Sequence, residues 1–194
     1  MPTEIDRMRL VLASKLNSRV YAHWVAACGK KAMPTRAEMQ PDVMPNDLLP
    51  ELPYVYIAQV MQDEAGMWFK FRLMGTALSD RLKQDATGMM LLDLQIGGWE
   101  EEWRKNLVHA VQMKMAVVDE STITTQNGIR LDIEHLALPL SDDGTKVDRI
   151  FGAIDFFKMS DDQMRSIIPD LDWKSISSVD LAKRIIISSL RVQL

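Results

Sequence analysis

Hydrophobic and polar positions alternate with two different periods along this chain, and the switches between them mark its elements. Met67, Phe69, Phe71 and Leu73 alternate with Trp68, Lys70, Arg72 and Met74, which is the period of a strand. Gly75 breaks the run, and Thr76 is placed to cap a short helix over 76–82. Residues 54–60 are rich in β-branched and aromatic side chains, and 62–66 form a turn, so 54–60 and 67–73 read as a hairpin. The helical period comes earlier. Met8, Leu12, Leu16, Val20 and Trp24 recur every four residues, with Ile5, Tyr21 and Val25 beside them. Thr3 with Asp6 is a weak capping box. The spacing predicts an amphipathic helix up to Cys28, stopped by Gly29 and divisible at Asn17-Ser18. Its stripe must be buried on its own domain or on a twin subunit, and the pattern leaves both open. Pro34, Pro41, Pro45, Pro50 and Pro53 then exclude a long regular element, although 46–49 suits one helical turn.

The clearest helix runs from 98 to about 115. Trp99, Trp103, Leu107, Ala110 and Val111 share one face, and Glu101, Glu102, Lys105, His109 and Gln112 the other. Strands resume over 117–126 and 129–140, joined at Asn127-Gly128, a strong hairpin signal. After His135 the apolar phase changes to Leu136, Leu138 and Leu140. That predicts a bulge, or a face that passes from exposed to covered. Residues 150–157 are apolar on both faces, as in a central strand covered on both sides. Ser160 with Gln163 opens a helix that ends at Pro169. Residues 180–190 read as a helix or, through Ile185, Ile186 and Ile187, as a strand.

Composition narrows the function classes. A net charge of −4 with scattered Lys and Arg gives no footprint for nucleic acid or an anionic membrane. No apolar run is long enough to span a bilayer, and the N-terminus is a poor signal peptide, so a cytoplasmic protein is expected. One cysteine, Cys28, excludes an internal disulfide and a multi-cysteine zinc site. The fourteen methionines suit core filling or an adaptable pocket.

The element order is strand, strand, short helices, long helix, three strands. Onto it fall Trp24; Met33-Pro34-Thr35-Arg36 with Pro41; Leu48-Leu49-Pro50; Phe71 through Thr76; Thr87-Gly88; Glu134 before Leu136-Ala137-Leu138-Pro139-Leu140; and Arg149-Ile150-Phe151-Gly152-Ala153. In this order and spacing, residues 24–157 resemble the small bacterial PAS sensor domains. The resemblance implies an α+β fold: a five-stranded antiparallel sheet with inserted helices on one face. Around it come an N-terminal helix and a helical C-terminal tail. The expected organisation is a helix over 1–29, a proline-rich linker over 30–53, the PAS core over 54–158 and an extension over 159–194. The resemblance further implies a sensory or interaction role, often as a homodimer through flanking helices. It names no single ligand, cofactor or signalling partner.

Candidate chemistry is sparse. Arg72 and Glu134 lie on strands that could share a sheet, where they read as a structural ion pair or as a polar handle for a ligand. Some PAS domains hold haem through a histidine on the long helix, but His109 falls on the polar face, where a haem ligand would not point. Cys28 precedes the first strand, the wrong place for a flavin-reactive thiol. His23, His109 and His135 lack metal-site spacing. No G-x-S-x-G elbow or phosphate loop occurs, and Gly97-Gly98 reads as a turn more readily than as an anion site. A pocket between the long helix and the sheet would be lined by Leu78, Leu82, Trp103, Leu107, Val111, Leu136 and Ile154; the alternative is a solid core. The expected function is a non-enzymatic sensor or interaction module. The alternatives are a small-molecule carrier or cofactor-free enzyme on the same scaffold, and a solid-core adaptor.

Overall fold

The computed structural model describes residues 12–40, 43–124 and 130–157. The capping box at Thr3, the Asn127-Gly128 turn and the C-terminal extension lie outside the described residues. Five strands form one antiparallel sheet: β1 (Val55–Asp63), β2 (Gly66–Met74), β3 (Val117–Thr124), β4 (Arg130–Leu140) and β5 (Arg149–Phe157). Their spatial order is β2-β1-β5-β4-β3. The hairpin β1–β2 and the meander β3–β4–β5 are thus joined edge to edge through the β1–β5 pairing. β5 is the middle strand, as its two-sided apolar content requires.

Helices cover both faces. α1 (Lys15–Cys28) packs on β4 and β5, and α3 (Trp99–Met113) packs on β3 and β4. α2 (Thr76–Leu82) and short 3-10 turns at Ala37–Met39, Leu49–Tyr54 and Leu91–Asp93 fill the connections. His135 touches the α3 rings Trp99 and Trp103, whereas its neighbour Glu134 binds the start of α1. Strand alternation therefore assigns an inner, α3 face and an outer, α1 face.

α1 begins later than its stripe suggests. Ser14 is the N-cap, its Oγ accepting from the Asn17 amide at 3.0 Å. Gly29 closes the helix with a φ of 56°. The stripe Leu16, Val20, Trp24 and Cys28 is buried against the chain's own sheet, and the Trp24 indole donates to the Pro139 carbonyl at 3.1 Å.

Two local expectations are corrected. Thr76 does not cap α2; Gly75 holds the N-cap position, without a side-chain bond. A Cβ at Gly75 would lie 2.2 Å from the Pro53 carbonyl oxygen, so the strand-to-helix corner needs glycine for close backbone approach rather than for a positive φ. The alternation of β2 also slips. Ile57 faces Leu73 and Ala58 faces Phe71, leaving Arg72 as the extra residue of a bulge. Phe69 and Phe71 point inward, and beyond the bulge Met74 is buried while Leu73 is 40% exposed. β4, by contrast, runs without a register shift against β5. Its phase change marks the point where both faces become covered, since residues 133–140 are all buried.

Candidate functional site

The inner face carries a polar cluster inside an aromatic core. Tyr56 of β1 lies opposite Gly152 of β5, and its ring occupies the space a side chain at 152 would need: a Cβ there would sit 1.9 Å from the Tyr56 Cζ. The Tyr56 hydroxyl is 2.6 Å from His135 Nε2, and the Trp103 indole N–H donates to it at 3.2 Å. Phe71 packs edge-on against Tyr56, and Trp99 stacks on Trp103 at 4.6 Å between centroids. Since Tyr56 Oη accepts from Trp103, its own proton has His135 Nε2 as acceptor. The neutral imidazole then carries its hydrogen on Nδ1. The opposite tautomer would leave both the hydroxyl hydrogen and Nδ1 unpaired. Burial depresses the His135 pKa to about 3, so the ring stays neutral. Burial likewise pushes the Tyr56 hydroxyl far above its ordinary value.

The outer face carries a row of carboxylates. Glu120, Glu134 and Asp155 lie side by side on β3, β4 and β5. Glu134 is fully buried. Its oxygens accept from the Ala13 amide at 2.6 Å, the Ser14 amide at 3.2 Å and Asn17 Nδ2 at 2.9 Å. Ser14 Oγ donates to Asp155 at 2.7 Å. Unpaired helix-start amides and the positive end of the helix dipole thus meet a negative row. Glu120 is left with the cost: desolvation first, then the charges of Glu134 and Asp119, raise its pKa. On the inner face Asp119, opposite His135, is also raised, chiefly by burial.

The expected Arg72–Glu134 pairing does not form. The two residues sit on strands three places apart, about 14 Å at ordinary strand spacing. Arg72 is exposed and donates to Gln59 Oε1 at 2.8 Å. Of the expected pocket residues, Leu78, Leu82, Trp103, Leu107 and Ile154 are buried and Val111 is half-buried. Leu136 shares the parity of Glu134 and belongs to the outer face under α1, so it cannot line an inner pocket. Two depressions lie elsewhere, of about 160 Å³ beside Trp68, Met90 and Arg104 and about 320 Å³ beside Asp80, Arg81, Lys83 and Leu131. None of the seven expected residues lines either. His109 is exposed on the far side of α3. Cys28 is buried, its thiol pKa raised to about 11 by desolvation. Among the described residues, no cluster of three or more His, Cys, Asp or Glu could hold a metal ion. None of the described helices is long and apolar enough to cross a membrane.

Sequence reasoning missed Tyr56, Trp99, Ser14, Asn17 and Asp155 as site residues. The available signal was exception to pattern: Asn17 beside the apolar stripe of α1, and Asp155 inside the most apolar strand.

A family model described as PAS domain matches residues 12–155. No curated protein matches the chain. Solved structures are similar to the chain at low identity. A Vibrio cholerae VqmA dimer, described without its target DNA, is 10% identical at a TM-score of 0.45, covering 58% of this chain and 49% of its own. A Rhodobacter sphaeroides LOV protein is 10% identical at 0.45, covering 71% and 86%. A PAS domain from Colwellia psychrerythraea is 15% identical at 0.39, covering 53% and 86%. The chain therefore spans about half of that VqmA chain and most of the smaller domains. The five-stranded antiparallel sheet with helices, together with a family match that includes α1 as well as the sheet, shows that the chain belongs to the PAS domain family.

Proposed function

We propose that this PAS domain is a sensory or protein-interaction module without catalysis, whose output element is α1. One observation carries the reading: neighbouring residues of β4 grip the two sides of the molecule. His135 is bonded to Tyr56 in the inner core, and Glu134 holds the start of α1 on the outer face. A displacement of β4 from within changes the grip on α1 without any further relay. A ligand or partner that binds one arrangement better shifts the population toward it. The exposed side of α1 is the surface through which a second copy or a signalling partner would read that shift.

Hydrogen exchange on Tyr56→Phe tests it. The substitution keeps the ring and leaves the buried His135 and Trp103 groups without their shared partner. Faster exchange at amides 15–28, with β1 still protected, is the expected outcome. A change confined to β1 and α3 would show that α1 does not read the core.

A further inference from the structure

The end of α2 and the end of β5 meet at one corner of the sheet. Arg81 stands over the Phe156 ring, 5.8 Å from its centroid. A depression of about 320 Å³ beside it is bordered by Asp80, Arg81, Lys83 and Leu131. Leu131 and Phe156 are only half-buried, and Arg81 and Lys83 are exposed. Among the described residues neither cation belongs to an ion pair. Two partly covered apolar side chains and two cations thus share one open corner, where the nearest carboxylate bordering the depression is that of Asp80. The C-terminal extension starts at the same corner. β5 runs to Phe157, one residue past the ring beneath Arg81, and the sequence continues Lys158-Met159-Ser160-Asp161-Asp162.

We propose that this corner is the docking site of the chain's own C-terminal extension, with Asp161 and Asp162 pairing with Arg81 and Lys83 and Met159 covering Leu131. Charge complementarity and reach name the occupant. Asp161-Asp162 is the first acidic pair after β5. Four residues carry the chain from Phe157 to Asp161, a span of up to about 14 Å. That is ample to return to a guanidinium already in contact with the Phe156 ring. A tether this short holds the two acids at an effective concentration on the order of millimolar, so the linked segment outcompetes a free acidic peptide. The inference goes beyond the α1 reading and stands without it. It sets the two flanking segments on opposite faces of β5: Asp155 accepts from Ser14 at the cap of α1, and the next residue, Phe156, lies beneath Arg81.

Carbodiimide cross-linking, which joins a lysine amine to a carboxylate in contact with it, tests this on the full chain. The chain supplies its own controls: Lys31 with Glu38 and Lys105 with Glu102 are ion pairs, and the conditions used must join both. The expected product is a bond from Lys83 to Asp161 or Asp162 within one chain. An equal mixture of nitrogen-14 and nitrogen-15 chains separates it from a bond between copies. Joined controls with no such bond would overturn the proposal, and a bond found only between copies would make a second copy the occupant and overturn it equally. Hydrogen exchange at 76–83 gives an independent reading. Arg81→Glu with Lys83→Glu should speed exchange there. Adding Asp161→Lys with Asp162→Lys should reverse roughly two- to thirtyfold of that effect, the coupling expected of two exposed ion pairs. Absence of coupling would assign the loss to α2 alone and refute the docking. Cross-linking of the unmodified chain decides even if a variant fails to fold. Neither measurement depends on α1, so failure here and failure of the α1 reading are separate results.

Discussion

Glu134→Ala removes the acceptor that three donors share, and its effect can be worked from the burial of each. Ser14 and Asn17 are buried, so the Ser14 amide and the Asn17 side-chain amide lose a partner that water cannot readily replace. Ala13 is exposed and rehydrates. The Ser14 amide, left unpaired, costs about 1–3 kcal/mol. Asn17 Nδ2 keeps its bond to the backbone carbonyl at 134, 2.9 Å away, and loses only its second one, about 0.5–1.5 kcal/mol, so the loss is roughly 1.5–4.5 kcal/mol. Relief of the repulsion on Glu120, which stands opposite, returns up to about 1 kcal/mol. The net is about 0.5–4.5 kcal/mol, directed at the start of α1. It does not detach the helix outright, because Leu16, Val20, Trp24 and Cys28 remain buried on the sheet at about 1.5–3 kcal/mol for a large side chain. Opening of α1 should therefore become roughly 2- to 2,000-fold more populated while the sheet stays closed. Hydrogen exchange resolved by peptide reads this directly: 15–28 should speed up and 149–157 should not. Glu134→Gln, which keeps one acceptor oxygen, should fall between. If α1 sped up less than about twofold, the clasp would not hold the helix. If β5 sped up equally, α1 would be part of the global fold and unsuited to act as an output.

Gly152→Ala should destabilise the chain by about 2–4 kcal/mol in urea unfolding, because the new methyl would occupy the Tyr56 ring; near-wild-type stability would place that ring elsewhere. Gly75→Ala should cost a similar amount, since its Cβ meets backbone oxygen atoms that cannot move independently, and an unchanged melting temperature would contradict the close approach. His135 predicts a pH dependence with a definite sign. Its folded pKa lies at about 3, below the ordinary value of 6.5, so between these limits the unfolded chain binds the extra proton. Stability from this group is present in full above about 6.5, falls by about 2 kcal/mol by pH 5, and is lost completely only below 3. Asp119 and Glu120, whose pKa values are raised, oppose that trend, so the comparison of unfolding free energies at pH 7 and 5 is made between wild type and His135→Gln. Equal slopes would refute the buried neutral imidazole. The Cys28 thiol, with its pKa at about 11, should react with Ellman's reagent at pH 8 far more slowly in the native than in the urea-unfolded chain.

Periodicity carried most of the architecture. The strand alternation around Phe69 and Phe71, the helical stripe of Trp99, Trp103 and Leu107, and the two-sided apolar run of β5 each found their place in the sheet and its helices. The failures share a cause. The bulge at Arg72 left the letters of β2 alternating, so the exchange of Leu73 for Met74 at the core had no signature in composition. Leu136 and Ile154 look alike in sequence, yet one parity faces α1 and the other α3; only the register with Val118 and with His135 separates them. Glu134 was paired with Arg72 because opposite charges invite pairing. Its real partners are two backbone amides and one asparagine, and a backbone amide is present at nearly every position, so no letter of the sequence announces it.

This bears on why a carboxylate is buried on β4 at all. A leucine at 134 would continue the apolar run of Leu136, Leu138 and Leu140 and give a more hydrophobic outer face. It would also leave the Ala13 and Ser14 amides, at and just before the N-cap of α1, without their partner on the sheet, so the helix start would shift or fray to find others. The carboxylate instead fixes the start of α1 through several directional bonds, while Leu16 and Val20 supply adhesion that is indifferent to small shifts and the Trp24 indole adds one bond to the Pro139 carbonyl. Directional bonds gathered at the start of the helix, with mostly apolar contact along the rest, make that start the point at which its position is set. With His135 one residue away bonded to Tyr56 in the inner core, the proposed relay asks only that a shift of β4 alter both sets of bonds together.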